Sequence, residues 1–423
     1  MLQHIPPNWI FGYRPVSDYG EHRSTRWVAA SKPVLSEAEG PKALGMMEAG
    51  KAIPKLRLPL PLLVSGLCGF LLYAAAGCLI NPIHYKVVNT EGLQTNPGIL
   101  LIDPNDGPCP FNVIQNNDGT LRIQWEVKSQ IHQKELSRVE YHRLYSTNRF
   151  MVVDGQLGNR KNKYPVVLDT GASQSIFVKD SHVLDNKLPI YPLETDKADS
   201  KGYNWGLCHL DELHIGAVTL TDWPCFYLER HIESKLFGLL PIDRDDSIIL
   251  GLPVLQAFKY IVFDSVKKEV EFSHSQVFQP KNSELWTPYP FSIEEDLYGN
   301  MFLFVEFTIA GQKAKLQLDS GSGDGLAIRQ QLWETIHQTI RDIKLKPGSN
   351  LYPYIGRLPC RQGIVGELEL RHGTIKDAKL SVFPDDSPIL SECQGLLGMQ
   401  YFQDTVMVLD FERELMWVKN QQS

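Results

Sequence analysis

The feature that most constrains this chain is an internal repeat. Residues 150–168 read as an apolar run, a polar turn and a second apolar run that leads into Asp169-Thr170-Gly171-Ala172-Ser173. Residues 301–318 do the same and lead into Asp319-Ser320-Gly321-Ser322-Gly323. Alternating apolar residues then flank a turn glycine in each half, Gly216 and Gly373, the pattern of a hairpin. A third block, Ile248-Ile249-Leu250-Gly251, is answered by Gly395-Leu396-Leu397-Gly398. The offsets are 150 residues for the aspartates, 157 for the hairpin glycines and 147 for the late glycines. Blocks that recur in one order at near-constant spacing indicate a duplicated unit, and such self-similarity decides the architecture before any local motif does. The prediction is an all-β, bilobal body, with lobe one near 148–282 and lobe two near 283–423.

A single Asp-(Thr/Ser)-Gly triplet says little. Average composition supplies about a few tenths of a chance match in a chain of this size, and aspartate in a loop most often bonds its own backbone. Two triplets, each after an apolar strand and each with a downstream apolar-apolar-glycine block, say much more. Over residues 148–423 the pattern resembles the pepsin/retropepsin class of aspartic peptidases. The resemblance implies a pepsin-like fold built from two retropepsin-like barrels, and an aspartic endopeptidase in which Asp169 and Asp319 are catalytic. It implies that Thr170, Gly171, Ser320 and Gly321 form the supporting loops, with Thr170 and Ser320 bonding across to the opposite loop. It further implies an extended peptide or protein substrate, no metal or other cofactor, and no dimer needed to complete the site. A flap over the substrate would draw on Tyr203 or Trp205 in copy one, or on residues 352–356 in copy two. Aromatic residues beside glycines are equally consistent with hairpin packing.

The chemistry explains why two carboxyls are needed. Hydrolysis by activated water requires a base to take the water's proton and an acid for the carbonyl oxygen. Like charges held close together push the two pKa values apart, so an acid and a base coexist at one pH. Glycine after the hydroxyl residue leaves its amide free to face the carboxylate, and a positive φ there would exclude larger residues. Copy one continues with Ala172 and copy two with Ser322. A Ser322 hydroxyl bonded to Asp319 would favour its ionised form, and its absence from copy one predicts an optimum less acidic than that of a gastric enzyme.

The N-terminal part reads differently. Residues 58–80 are 23 residues without a charge, preceded by Lys51, Lys55 and Arg57, long enough to span a bilayer at ~20 apolar residues. The run ends Ala74-Ala75-Ala76-Gly77-Cys78. This resembles the lipobox of a bacterial lipoprotein signal, which would lipidate Cys78, although Ala75 stands where that family usually has Leu. Basic lead, apolar core and small residues follow the order of an export signal, and Met46 and Met47 offer an internal start. Residues 1–45 are then an extension, and 46–80 a signal peptide or membrane anchor. Either outcome tethers the rest to a membrane on its extracytoplasmic side, the bacterial cell envelope. Residues 81–147 are predicted to be a small β-rich spacer, with strand-like runs at 98–102 and 121–127 and helical character over 128–143.

The net charge of −7 excludes a broad nucleic-acid surface, which needs a basic footprint. Seven cysteines lie at no metal-ligand spacing, leaving core thiols or one or two disulfides open. No His-Glu-x-x-His pattern and no Gly-x-Ser-x-Gly elbow occurs. Two rival classes use the same residues differently: a non-catalytic peptide-binding lipoprotein that keeps the scaffold, and a glycosidase with paired carboxylates.

Overall fold

The structure is a computed structural model that describes residues 26–29, 83–89, 110–115, 121–142, 152–159, 161–192, 205–228, 230–236, 240–244, 247–296, 300–323, 325–340, 343–352, 356–390 and 393–420. The described residues are mostly β, and they repeat one strand arrangement twice. In the first copy Val152–Leu157 pairs with Lys163–Asp169, which lies parallel to Ile248–Gly251. That strand pairs with Ile176–Val178, which runs parallel to Val218–Leu228, itself the hairpin partner of Trp205–Ile215. Pairing of Leu213 with Leu157 returns to the first strand and closes the ring. The second copy runs in the same order through Met301–Ile309, Gln312–Asp319, Gly395–Gly398, Leu326–Arg329, Gly373–Phe383 and Gly356–Leu370. Even the short helices correspond, Asp180–Asn186 and Gln330–Ile336, at the same offset as the aspartates.

Burial accounts for the wording of these strands. Strands paired in parallel and covered on both faces are nearly continuous apolar runs rather than alternating ones. Val166, Val167 and Leu168, like Leu316 and Leu318, are buried, as are Ile248, Ile249 and Leu250 and Leu396 and Leu397. Pro165, which has no N–H to give, precedes the parallel pairing that begins at Val166.

Between the lobes the strands Ser137–His142, Glu269–Ser273, Tyr260–Asp264, Val406–Asp410, Leu415–Lys419 and the first half of Trp286–Glu295 line up in that order as one antiparallel sheet. Its central pair joins the lobes, with Tyr260 opposite Asp410 and Asp264 opposite Val406. The helical character expected over 128–143 is absent. Gln130–Gln133 and Ser137–His142 are strands, the first on Val218–Leu228 and the second on Glu269–Ser273. Their polar residues lie at half-exposed positions while Ser137 is buried, which is how a polar run behaves at a sheet edge.

The strand expected over 121–127 is present as Leu121–Trp125, paired with Phe111–Gln115 and Arg26–Ala29. Ile83–Asn89, Arg230–Leu236 and Leu240–Arg244 form a separate three-stranded sheet, most of whose residues belong to a second compact unit. The apolar run 58–80 with Cys78 and the run 98–102 lie outside the described residues, and of the extension 1–45 only Arg26–Ala29 is described. Among the described residues no helix is long and apolar enough to cross a membrane.

Lobe two buries one histidine with a consequence for stability. His372 is 1% exposed, its Nδ1 is 2.9 Å from the Tyr289 hydroxyl, and its ring stacks on Phe402. Burial pushes its pKa down to about 4 from 6.5. The folded chain therefore declines a proton that the unfolded chain accepts, so stability is full above pH 6.5 and declines as pH falls toward 4. The loss amounts to roughly 3 kcal/mol at most. Thermal unfolding across that range is expected to show a smaller acid loss in the Tyr289→Phe, His372→Phe double variant than in the natural chain. Equal losses would rule the residue out.

Candidate active site

Each Asp loop is held by a pair of strands and then by the other lobe. Within lobe one, Gly251 sits opposite Asp169, its N–H donating to the Ser175 carbonyl, while the Leu252 N–H donates to Ala172. Lobe two copies this with Gly398 opposite Asp319, its N–H donating to Gly325, and Met399 donating to Ser322. The late glycines of the repeat are thus the floor under the Asp loops. Gly251 has no room for a side chain, because a Cβ there would meet the Ala172 carbonyl oxygen at 2.7 Å.

Across the lobes the two hydroxyl residues form a reciprocal grip. Thr170 Oγ1 donates to the Leu318 carbonyl at 2.8 Å and accepts from the Ser320 N–H at 2.9 Å. Ser320 Oγ donates to the Leu168 carbonyl at 2.7 Å and accepts from the Thr170 N–H at 2.9 Å. All four bonds are buried, where an orphaned backbone group is costly, so each lobe satisfies the other's loop.

The grip sets the two carboxyls against each other. Asp169 is 4% exposed and Asp319 is 0% exposed. The Gly171 N–H donates to Asp169 Oδ1 at 2.8 Å, and the Gly321 N–H bonds the Asp319 carboxyl in the same way. Neither glycine is among those with positive φ, so the conformational reason expected from sequence does not apply. Space is the reason. A Cβ on Gly171 would lie 2.6 Å from the Asp319 carboxyl carbon, and one on Gly321 would run into the Asp169 carboxyl. Each glycine makes room for the opposite aspartate.

Burial, then the negative charge of Asp169 and a hydrogen bond with it, push Asp319 up to about 7 from 3.8. The net shift is upward because desolvation outweighs the stabilising bond from Gly321. Ser322 is buried, and its N–H donates to the Asp319 carbonyl.

The flap region is only partly described. Tyr191–Pro192 pairs antiparallel with Gly206 and Leu207, and Lys346–Tyr352 with the start of Gly356–Leu370. Tyr203 lies outside the described residues; Trp205 begins its strand opposite Leu228. In copy two Tyr352 is buried against Phe383, with ring centroids 6.1 Å apart, a packing role.

One contact at the site was not legible in the sequence. Ser173 Oγ and Gln174 Nε2, directly after the first Asp loop, donate to Asn300 Oδ1 of lobe two at 3.3 and 3.4 Å. Asn300 is fixed in turn by Asp296 through bonds of 2.8 and 2.9 Å. At the positions 150 residues away from Asn300 and Ser173 the sequence has Phe150 and Gly323, whose side chains carry no hydrogen-bonding group.

No protein-family model and no curated protein matches the sequence. Among solved structures, the chain is similar to conglutin gamma, a basic 7S globulin from lupine seeds, at 9% identity and a TM-score of 0.40, covering 68% of this chain and 95% of that one. It is similar to the basic 7S globulin from soybean at 10% identity and a TM-score of 0.39, over the same shares of each chain.

Proposed function

We propose that the chain is a pepsin-like aspartic endopeptidase that hydrolyses peptide bonds with a water activated between Asp169 and Asp319. The observation that carries this reading is the reciprocal Thr170–Ser320 grip, which holds the two carboxyls within hydrogen-bonding reach of one another with Asp319 raised to about 7. A shared proton is what such a pair needs: the protonated member acts as acid and the ionised one as base. The two groups titrate as a pair, so neither role is tied to one residue. Thr170, Gly171, Ser320 and Gly321 position the pair, no cofactor takes part, and the substrate is an extended peptide or protein. The apolar run 58–80, with Cys78 at its end, supports a membrane tether on the extracytoplasmic side, through lipid or a single helix.

The pH–rate profile tests this reading. The pair keeps its shared proton below about pH 7 and loses it above. With both carboxyls ionised there is no acid, so kcat/KM for a peptide is expected to fall about tenfold per unit above pH 7. A statine-type transition-state analogue should inhibit on the acid side of that limb. A rate that keeps rising to pH 9 overturns the assignment.

A second reading, a non-catalytic peptide-binding scaffold, is favoured by the complete burial of Asp319, because a working carboxyl must reach its substrate. Saturable peptide binding without turnover at any pH would select it.

A further inference from the structure

We propose that Cys208 and Cys225 are a site of oxidative modification, joined to each other as a cross-strand disulfide that staples the lobe-one hairpin.

The two residues face one another in the antiparallel register of Trp205–Ile215 and Val218–Leu228. Directly opposed residues in such a pair have Cα atoms about 4.5–5.5 Å apart, inside the range of about 4.4–6.8 Å that a disulfide spans. Register alone therefore brings the backbones to bonding distance, with no movement of either strand. Both side chains point to the same buried face, each 0% exposed, and the thiols hydrogen-bond one another, with Cys225 also donating to the Trp223 carbonyl at 3.7 Å. Burial and the neighbouring sulfur raise the Cys225 thiol well above its usual range. A folded, reduced pair is for that reason a poor nucleophile, and the bond forms while the hairpin is still open to solvent.

The other described cysteines lack this arrangement. Cys360 faces Gly348 in its register and lies 3.9 Å from Asn350 Oδ1, and Cys393 lies outside any strand.

The redox step is an exchange with a disulfide-bearing oxidant, such as oxidised glutathione or a thiol–disulfide oxidoreductase. One cysteine thiolate attacks an oxidant sulfur and expels a thiolate, leaving a mixed disulfide. The second cysteine, having lost its proton, attacks the chain's sulfur in that mixed disulfide and expels the other thiolate. Two cysteine thiols are oxidised to one disulfide and one oxidant disulfide is reduced to two thiols. Once the hairpin is packed, the bond is out of reach of reductant.

The position gives the staple a purpose. Val218–Leu228 also pairs in parallel with Phe177 and Val178, a short way past the Asp169 loop. Trp205–Ile215 leads directly out of residues 193–204. The bond would tie Trp205–Ile215 to the strand behind the loop.

The test is thiol mapping of the full-length protein folded with a glutathione redox couple. The chain is denatured without reductant, alkylated, digested and analysed by mass spectrometry. The expected result is one cross-linked peptide pair containing Cys208 and Cys225, lighter by two hydrogens than the reduced peptides, with Cys360 and Cys393 alkylated. Reductant should open it only after unfolding. Cys208→Ala should abolish the cross-link and leave Cys225 alkylatable. Full alkylation of both residues, or a link from either to another cysteine, overturns the proposal, and the natural chain decides this even if the variant fails to fold.

Discussion

Asp169→Asn and Asp319→Asn are each expected to lower peptide cleavage by at least ~10³-fold, because an amide of the same shape can neither take the water's proton nor deliver one. A loss of activity alone would not separate chemistry from misfolding. Stability does so at Asp319. Its folded pKa is raised to about 7 from 3.8 by burial, so the natural chain carries the cost of a buried charge above pH 7 and is relieved of it below 3.8. The amide that replaces the carboxyl never ionises. The Asp319→Asn variant is therefore expected to melt at a higher temperature than the natural chain at pH 8, with the gain shrinking as pH falls toward 4. An inactive variant that is more stable at alkaline pH is the signature of a residue strained for function. Normal turnover in either variant would end the dyad assignment.

The second large effect belongs to the grip. Thr170→Val removes a donor to Leu318 and an acceptor for Ser320, and Ser320→Ala does the same to Leu168 and Thr170. Each substitution leaves a buried N–H and a buried C=O of the opposite lobe unpaired, at about 1–3 kcal/mol per group. The expected cost is on the order of 2–5 kcal/mol for either variant in denaturant unfolding. The double variant should cost clearly less than the sum, because both residues serve the same loops. Activity should fall further than stability, since a shift of ~1 Å between reacting groups costs about 100-fold. Additive, small effects would show that the lobes are aligned by the interlobe sheet alone.

The sequence made the repeated parts readable because burial constrains them most. Lys163–Asp169 and Gln312–Asp319 are covered on both faces, so their apolar runs survive in both copies and end at the same triplet. The hairpins around Gly216 and Gly373 were legible for a related reason, alternation on either side of a turn. Residues 128–143 misled because an edge strand with one covered face shows few apolar residues, and polar alternation resembles a solvated helix. The reason for glycine at 171 and 321 was also invisible, since it lies in the carboxyl of a residue about 150 positions away. The Ser173–Asn300 contact spans 127 residues and has no repeat to announce it. Long-range polar contacts of this kind leave no local period.

The central pairing of the interlobe sheet has a consequence for any attempt to cut the protein in two. Tyr260–Asp264 finds its neighbour in Val406–Asp410, so an isolated half would expose that strand as an open edge, a template for another chain. The covalent link between halves turns what would be a concentration-dependent association into an intramolecular one. Separately expressed halves should therefore seek one another, or copies of themselves, before they behave as monomers.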